Sequence, residues 1–110
     1  MTDPAPNAQE ELATRLRALL SGRVVREVRM FGGQAFMVDE RLAVSAGRNG
    51  DLLVRANEAD YNEHLDRGAV ESVMKNGRRM GRAWLTVPAP QIIEDEELAY
   101  WLAVAIEAGE

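Results

Sequence analysis

Arg23-Val24-Val25-Arg26-Glu27-Val28-Arg29-Met30-Phe31-Gly32-Gly33-Gln34-Ala35-Phe36-Met37-Val38 is the stretch that decides the fold. Its first nine residues have period two, with Val24, Val28 and Met30 pointing one way and Val25, Glu27, Arg29 and Phe31 the other, as in a strand. Gly32-Gly33 interrupts the run. Adjacent glycines between apolar segments mark a turn or bulge, where the backbone needs a positive φ or a close approach. Two further strands, or two arms of a hairpin, are expected at 34–38 and 41–46, joined at Asp39-Glu40. Arg48-Asn49-Gly50 then reads as a tight turn into a strand at 51–55. The result is an antiparallel meander of three or four strands.

The segments on either side are helical. Asn7, three residues before Glu10, has the form of a capping box. Leu12, Leu16, Leu19 and Leu20 repeat at i, i+4, i+7 and i+8, and Gly22 supplies a stop. Beyond the meander, Asn57 is placed to cap a short helix carrying Tyr61 and Leu65 on one face and closed by Gly68. A second strand pair is expected at 70–75 and 79–87, flanking the hairpin signal Asn76-Gly77, with a bulge at Gly81. Pro88-Ala89-Pro90 ends the sheet. The acidic run Glu94-Asp95-Glu96-Glu97 suits a helix N-terminus, and Leu98, Trp101, Leu102, Ala105 and Ile106 form a wide apolar stripe behind it.

The expected order is therefore α-β(3–4)-α-β(2)-α. Strands grouped in hairpins, not alternating singly with helices, point to the α+β class. The architecture expected is two layers, an antiparallel sheet with amphipathic helices on one face. The other face is left to solvent or a partner. Residues 1–6 read as a flexible lead and 7–110 as one domain, consistent with a chain of 110 residues that is 46% hydrophobic and 28% charged.

Composition narrows the function classes. There is no cysteine, which removes thiol catalysis, zinc-thiolate sites and iron-sulfur clusters. The N-terminus carries Asp3, Pro4 and Pro6 where a secretory signal needs a basic start and an apolar run, and no apolar stretch approaches the roughly 20 residues that span a bilayer. No membrane association and a cytoplasmic location are expected. The net charge of −5 disfavours a general nucleic-acid binder, although Arg15, Arg17, Arg23, Arg26 and Arg29 cluster near the start.

No catalytic, metal-binding or cofactor-binding residue stands out. His64, the one histidine, reads as a surface or half-buried helix residue. Ser21, Ser45 and Ser72 lie in no nucleophile-elbow pattern. Asp39-Glu40 and Glu94 to Glu97 are explained by a turn and a helix start. Gly32-Gly33 lacks the further residues of a dinucleotide or Walker phosphate loop. Lys75, Arg78, Arg79 and Arg82 gather around Asn76-Gly77 as a candidate interaction patch for phosphate, RNA or an acidic protein; a charged edge hairpin explains them somewhat more simply. Phe36, Trp84 and Trp101 fall at core-facing spacings.

Met30-Phe31-Gly32-Gly33 followed by Phe36-Met37-Val38, then Leu42-Ala43-Val44, Asp51-Leu52-Leu53-Val54-Arg55, Gly77-Arg78-Arg79-Met80-Gly81 before Trp84, and Glu96-Glu97-Leu98 with Trp101 resemble the N-terminal domain of TfoX (also called Sxy), regulators of natural competence. The resemblance runs from about Arg17 to the C-terminus, and Met30, Phe31, Gly32, Gly33, Gly81 and Trp84 carry most of it. It implies a small α+β domain with an antiparallel sheet and a role in regulation, not catalysis. In full-length members a separate helical domain follows, and the protein acts in transcription with the cyclic-AMP receptor protein. A standalone single-domain member is expected here.

The function expected is a non-enzymatic regulatory or protein-interaction module without cofactor, working as a homodimer or with another protein. The alternatives are a nucleic-acid-associated factor using the arginine patch, and a small ligand-binding protein or enzyme with a pocket near Gly32-Gly33.

Overall fold

Asp39 and Glu40 make the tightest strand connection among the described residues, two residues both in the left-handed region, with φ 53° and 66°. That geometry matches the right-handed twist of the strands it joins, here without glycine or asparagine. The strands are β2 (Gly33–Val38) and β3 (Arg41–Ala46). β1 (Val25–Met30) pairs with β2 in unbroken register, from Val25 opposite Val38 to Met30 opposite Gly33. Between β3 and β4 (Leu52–Arg55) the chain turns at Gly47–Gly50, where the Gly50 N–H donates to the Gly47 carbonyl at 3.0 Å and Gly50 adopts φ 84°. These elements belong to a computed structural model that describes residues 8–30, 32–73, 77 and 81–108.

β5 (Val70–Glu71) and β6 (Trp84–Val87) complete an antiparallel sheet in the order β1-β2-β3-β4-β6-β5. The α-helices among the described residues are α1 (Ala8–Leu19), α2 (Tyr61–Asp66) and α3 (Asp95–Ala108). Short 3-10 turns at Glu58–Asp60 and Ala89–Ile92 lead into α2 and α3. The α+β, two-layer reading is thereby confirmed, with the first strand group numbering four.

The core lies between the sheet and α1 and α3. Phe36, Val44, Val54 and Leu85 stand directly opposite one another across β2, β3, β4 and β6, and all four are fully buried. Leu12, Ala13 and Leu16 of α1 and Leu98, Trp101, Leu102 and Ala105 of α3 close over them. Burying a leucine or phenylalanine side chain stabilises by about 1.5–3 kcal/mol each. Polar clamps fix the helices: Arg15 donates to the carbonyls of Ile92 (2.7 Å) and Ile93 (3.1 Å) and pairs with Asp95. Gln9 Nε2 donates to the carbonyls of Gly32 and Ala46, both at 2.9 Å.

Several expectations need correction. His64 is buried, 4% exposed, edge-on to Trp101 with ring centroids 5.4 Å apart. The short α2 helix folds inward over α3, which its own sequence does not reveal. Trp84 faces away from the helices and is half-buried, because β6 begins there and its alternation sends Leu85 and Val87 to the core. The second arm does not run unbroken over 79–87: the Trp84 N–H donates to the Gly81 carbonyl at 3.3 Å, so 81–83 turn instead of extending, while 74–76 and 78–80 lie outside the described residues. Leu19 and Val24 are exposed, at 39% and 79%. Asn57 precedes a 3-10 turn and makes no side-chain cap. The expected lead at 1–6, Asn7 and the tip around Asn76 lie outside the described residues.

Gly33 is required by close approach, since a Cβ there would lie 2.5 Å from Ser45 Oγ. Gly33→Ala is expected to cost about 1–3 kcal/mol by overpacking. Ser45→Ala in the same chain restores most of the loss, and a double-mutant cycle in urea shows a coupling of about 1 kcal/mol or more between the two sites; additive losses would refute it.

Arg17 and Glu27 form a bidentate pair, with bonds of 2.7 and 2.8 Å, that ties α1 to β1. The Arg17 guanidinium, and secondarily the Gln34 amide, hold the Glu27 carboxyl below the usual carboxylate range against the opposing effect of burial. A depressed folded pKa contributes stability that is present above the unfolded value, about 4.3, and lost as pH falls through the folded one. The side chains are 48% and 29% exposed, so the pair is worth at most about 1 kcal/mol. Arg17→Gln therefore lowers stability by about 0.5–1 kcal/mol at pH 7, and its urea curve converges on that of the unsubstituted protein as pH falls through the depressed Glu27 range and the carboxyl is protonated. A difference that persists undiminished once Glu27 is protonated in the folded state would rule out the ion pair as its source.

Candidate functional site: the sheet face opposite the helices

Each strand that sends one set of residues to the core sends the alternate set to the opposite face. The pairing register places Val28, Ala35, Ser45, Leu53, Thr86 and Val70 in one row that crosses all six strands. At about 4.8 Å per strand the row is about 24 Å long. Among the described residues no helix packs on this face.

The face is apolar and graded in size. Gly33, Ala35 and Ser45 at its middle are small and buried. Val28, Met30, Met37, Leu53 and Trp84 around them are half-buried, and Val70 at the far edge is 47% exposed. Ser72 and Thr86 share a hydroxyl hydrogen bond of 2.8 Å beside Val70. Arg55 extends beside Trp84, its guanidinium carbon 6.0 Å from the ring centroid, and has no carboxylate partner among the described residues. Arg26, at the β1 margin, is paired with Glu40 at 3.2 Å.

The residues singled out from sequence sort clearly onto this geometry. Met30 and Gly33 are opposed at the end of the β1–β2 ladder on this face. Gly32, φ 77°, lies beneath the Arg48 guanidinium. Gly81, φ 96°, forms the turn from which β6 starts and so sets the direction of Trp84. Phe31 lies outside the described residues, as do Lys75, Arg78 and Arg79 of the basic patch. Arg82 is described, and its guanidinium lies 5.0 Å from the Tyr61 ring centroid. The structure brings Met30, Gly33 and Trp84 to one face; of the four patch residues it places only Arg82.

Ala35, Ser45, Leu53, Arg55, Thr86 and Val70 were missed by sequence reading. Their signal is the period-two complement of the core row, legible only once the register is known.

Elsewhere the chemistry is sparse. A cleft of about 360 Å³ opens between α3 and the β2–β3 hairpin, floored by Val38, Leu42, Ala43, Ala105 and Ile106 and rimmed by Arg23, Asp39 and Arg41. Neither it nor its neighbour along α3 is lined by Gly32 or Gly33; packing against Arg48 and Ser45 accounts for both glycines. Among the described residues no group of three or more His, Asp or Glu side chains is gathered to hold a metal ion, and no helix is long and apolar enough to cross a membrane.

No curated protein and no solved structure matches the chain. The family model of the TfoX N-terminal domain matches residues 17–109, which takes in the meander, the Gly32-Gly33 turn, the sheet face and α3: the chain belongs to the TfoX N-terminal domain family.

Proposed function

We propose that the protein is a non-enzymatic regulatory module that acts by binding another protein on the sheet face opposite its helices. The observation that carries this reading is the row Val28–Ala35–Ser45–Leu53–Thr86–Val70 with Met30, Met37 and Trp84 beside it, an apolar surface on the side away from α1 and α3. The row is buried at Ala35 and Ser45, half-buried around them and exposed at Val70, and a contiguous apolar surface that reaches solvent marks interaction sites in soluble proteins. Trp84 and Arg55 belong to the residue types that carry most binding energy at interfaces. Arg55 lacks a carboxylate partner among the described residues, which favours a protein whose apolar surface bears an acidic side chain to meet it.

Regulation, not chemistry, is also what membership of the family supports. The buried ring of His64 is set against Trp101, away from solvent.

The test is a photo-crosslinking amino acid placed at Leu53 and, as a control, at Glu11 on the exposed side of α1. In growing cells the position-53 probe is expected to give one discrete protein adduct, lost when Trp84→Asp is added, while the position-11 probe gives none. Equal labelling from both positions, or an adduct indifferent to Trp84→Asp, would overturn the assignment. Leu53→Glu is expected to change stability by less than about 1 kcal/mol because the site is only half-buried, so loss of binding is separable from loss of fold.

A further inference from the structure

The sheet has two very different edges. β5 is blunted by its length of two residues, whereas β1 runs six residues with no register shift. The Asp39 N–H donates to the Val24 carbonyl at 3.3 Å. Even-numbered residues of this strand thus turn their backbone groups toward β2, and by the alternation of an antiparallel ladder Val25, Glu27 and Arg29 turn theirs outward. Long unpaired edges are templates for another strand, and natural proteins usually shorten, kink or charge them. β1 is neither short nor kinked, so its charges decide what it accepts.

From the charge pattern we infer that β1 pairs with β1 of a second copy, antiparallel about a twofold axis at Val28, to form a continuous twelve-stranded sheet, six strands from each copy. In that register Glu27 stands opposite Arg29 of the second copy and Arg29 opposite its Glu27. Both pairs sit at positions whose backbone groups point outward and exchange hydrogen bonds. Val28 meets Val28 on the other face. Arg29 has no ion-pair partner among the described residues, so the pairing supplies one. The Glu27 carboxylate accepts from Arg17 and Gln34 and has lone pairs left for a further donor.

Neighbouring registers are disfavoured on the same grounds. A shift one way sets Glu27 against Glu27, and a shift the other way sets Arg29 against Arg29; like charges directly opposed destabilise a ladder. An odd slip pairs outward-turned with inward-turned groups and forfeits the hydrogen bonds. The twofold axis stands perpendicular to the sheet, so the helices of both copies lie on one side and the apolar rows join through Val28 on the other. The interface is isologous. It uses the strand edge and does not depend on what docks on the open face.

Sedimentation equilibrium and light scattering of the full chain test this directly. The unsubstituted protein is expected to be a dimer at micromolar concentration. Arg29→Glu and Glu27→Arg, each shown folded by circular dichroism, are expected to raise the dissociation constant about tenfold or more by setting like charges opposite. An equimolar mixture of the two variants restores opposite charges at both cross-strand positions and is expected to dimerise. Arg29→Pro, which removes an outward N–H without touching the β1–β2 ladder, is expected to be monomeric, and Leu53→Glu to remain a dimer. A monomeric unsubstituted protein, a dimer indifferent to Arg29→Glu, a mixture that stays monomeric, or a dimer broken by Leu53→Glu would each overturn the proposal.

Discussion

Phe36, Val44, Val54 and Leu85 face one another across four strands without a gap, and the rest of the molecule follows from keeping that row dry. Side chains in a strand alternate with period two, so a slip of one residue would carry the whole row to the opposite face and strand Trp101 of α3 without its platform. The helices are secondary to this register: their leucines and Trp101 have a surface to bury against only because the row is continuous. Arg15, Gln9 and the Arg67–Glu97 pair, 3.0 Å apart, then hold the helices in place on a core that already exists.

The same constraint fixes the second face. Once Phe36 and Val44 point inward, Ala35 and Ser45 must point outward, and the Gly33–Ser45 approach leaves no room for a side chain between them. A sheet used only as a scaffold would be expected to carry alternating polar residues there. This one carries methionines, a leucine, a tryptophan and small residues. The Gly81 turn contributes at a distance: by delaying the start of β6 to Trp84 it decides that the indole joins the outer face and Leu85 the core. The glycines of the family motif are therefore positioning devices for the surface that Met30 and Trp84 help to form.

How much of this could be read from the chain depends on the range of the interaction concerned. α1 and α3 were legible because their stripes have the helical period, and β2–β3 because Asp39-Glu40 leaves room for nothing but a hairpin turn. Gly22 and Gly68 ended their helices as expected, with φ 93° and 119°. What could not be read is whatever depends on residues distant in sequence. The insertion of β6 between β4 and β5 is one such case, since nothing local specifies a neighbour some thirty positions away. His64 is another. An exposed-looking histidine in a polar six-residue helix becomes buried only because Trp101 arrives from the other end of the chain. The open face was legible as a consequence of layering but not residue by residue, for its membership is the complement of a register.

Charge on this molecule also has to be judged by position, not by total. The net charge of −5 suggests an acidic surface, yet the cations are placed where they are specific. Arg17 and Arg15 are spent on internal pairs, Arg67 on Glu97 and on the Tyr100 ring 3.5 Å away, and Arg26 on Glu40. Arg55 beside Trp84 and Arg29 on the β1 edge are among the arginines that have no carboxylate partner among the described residues. A guanidinium held beside apolar surface strengthens any carboxylate contact by lowering the local dielectric, but only toward a partner that arrives in one orientation. The apolar face supplies area and Arg55 supplies direction; Arg29, which alternates with Val28, lies on the helix side of β1 and acts at the strand edge. Specificity in such a module would then lie less in the face itself, which is apolar and permissive, than in the few charges at its margin.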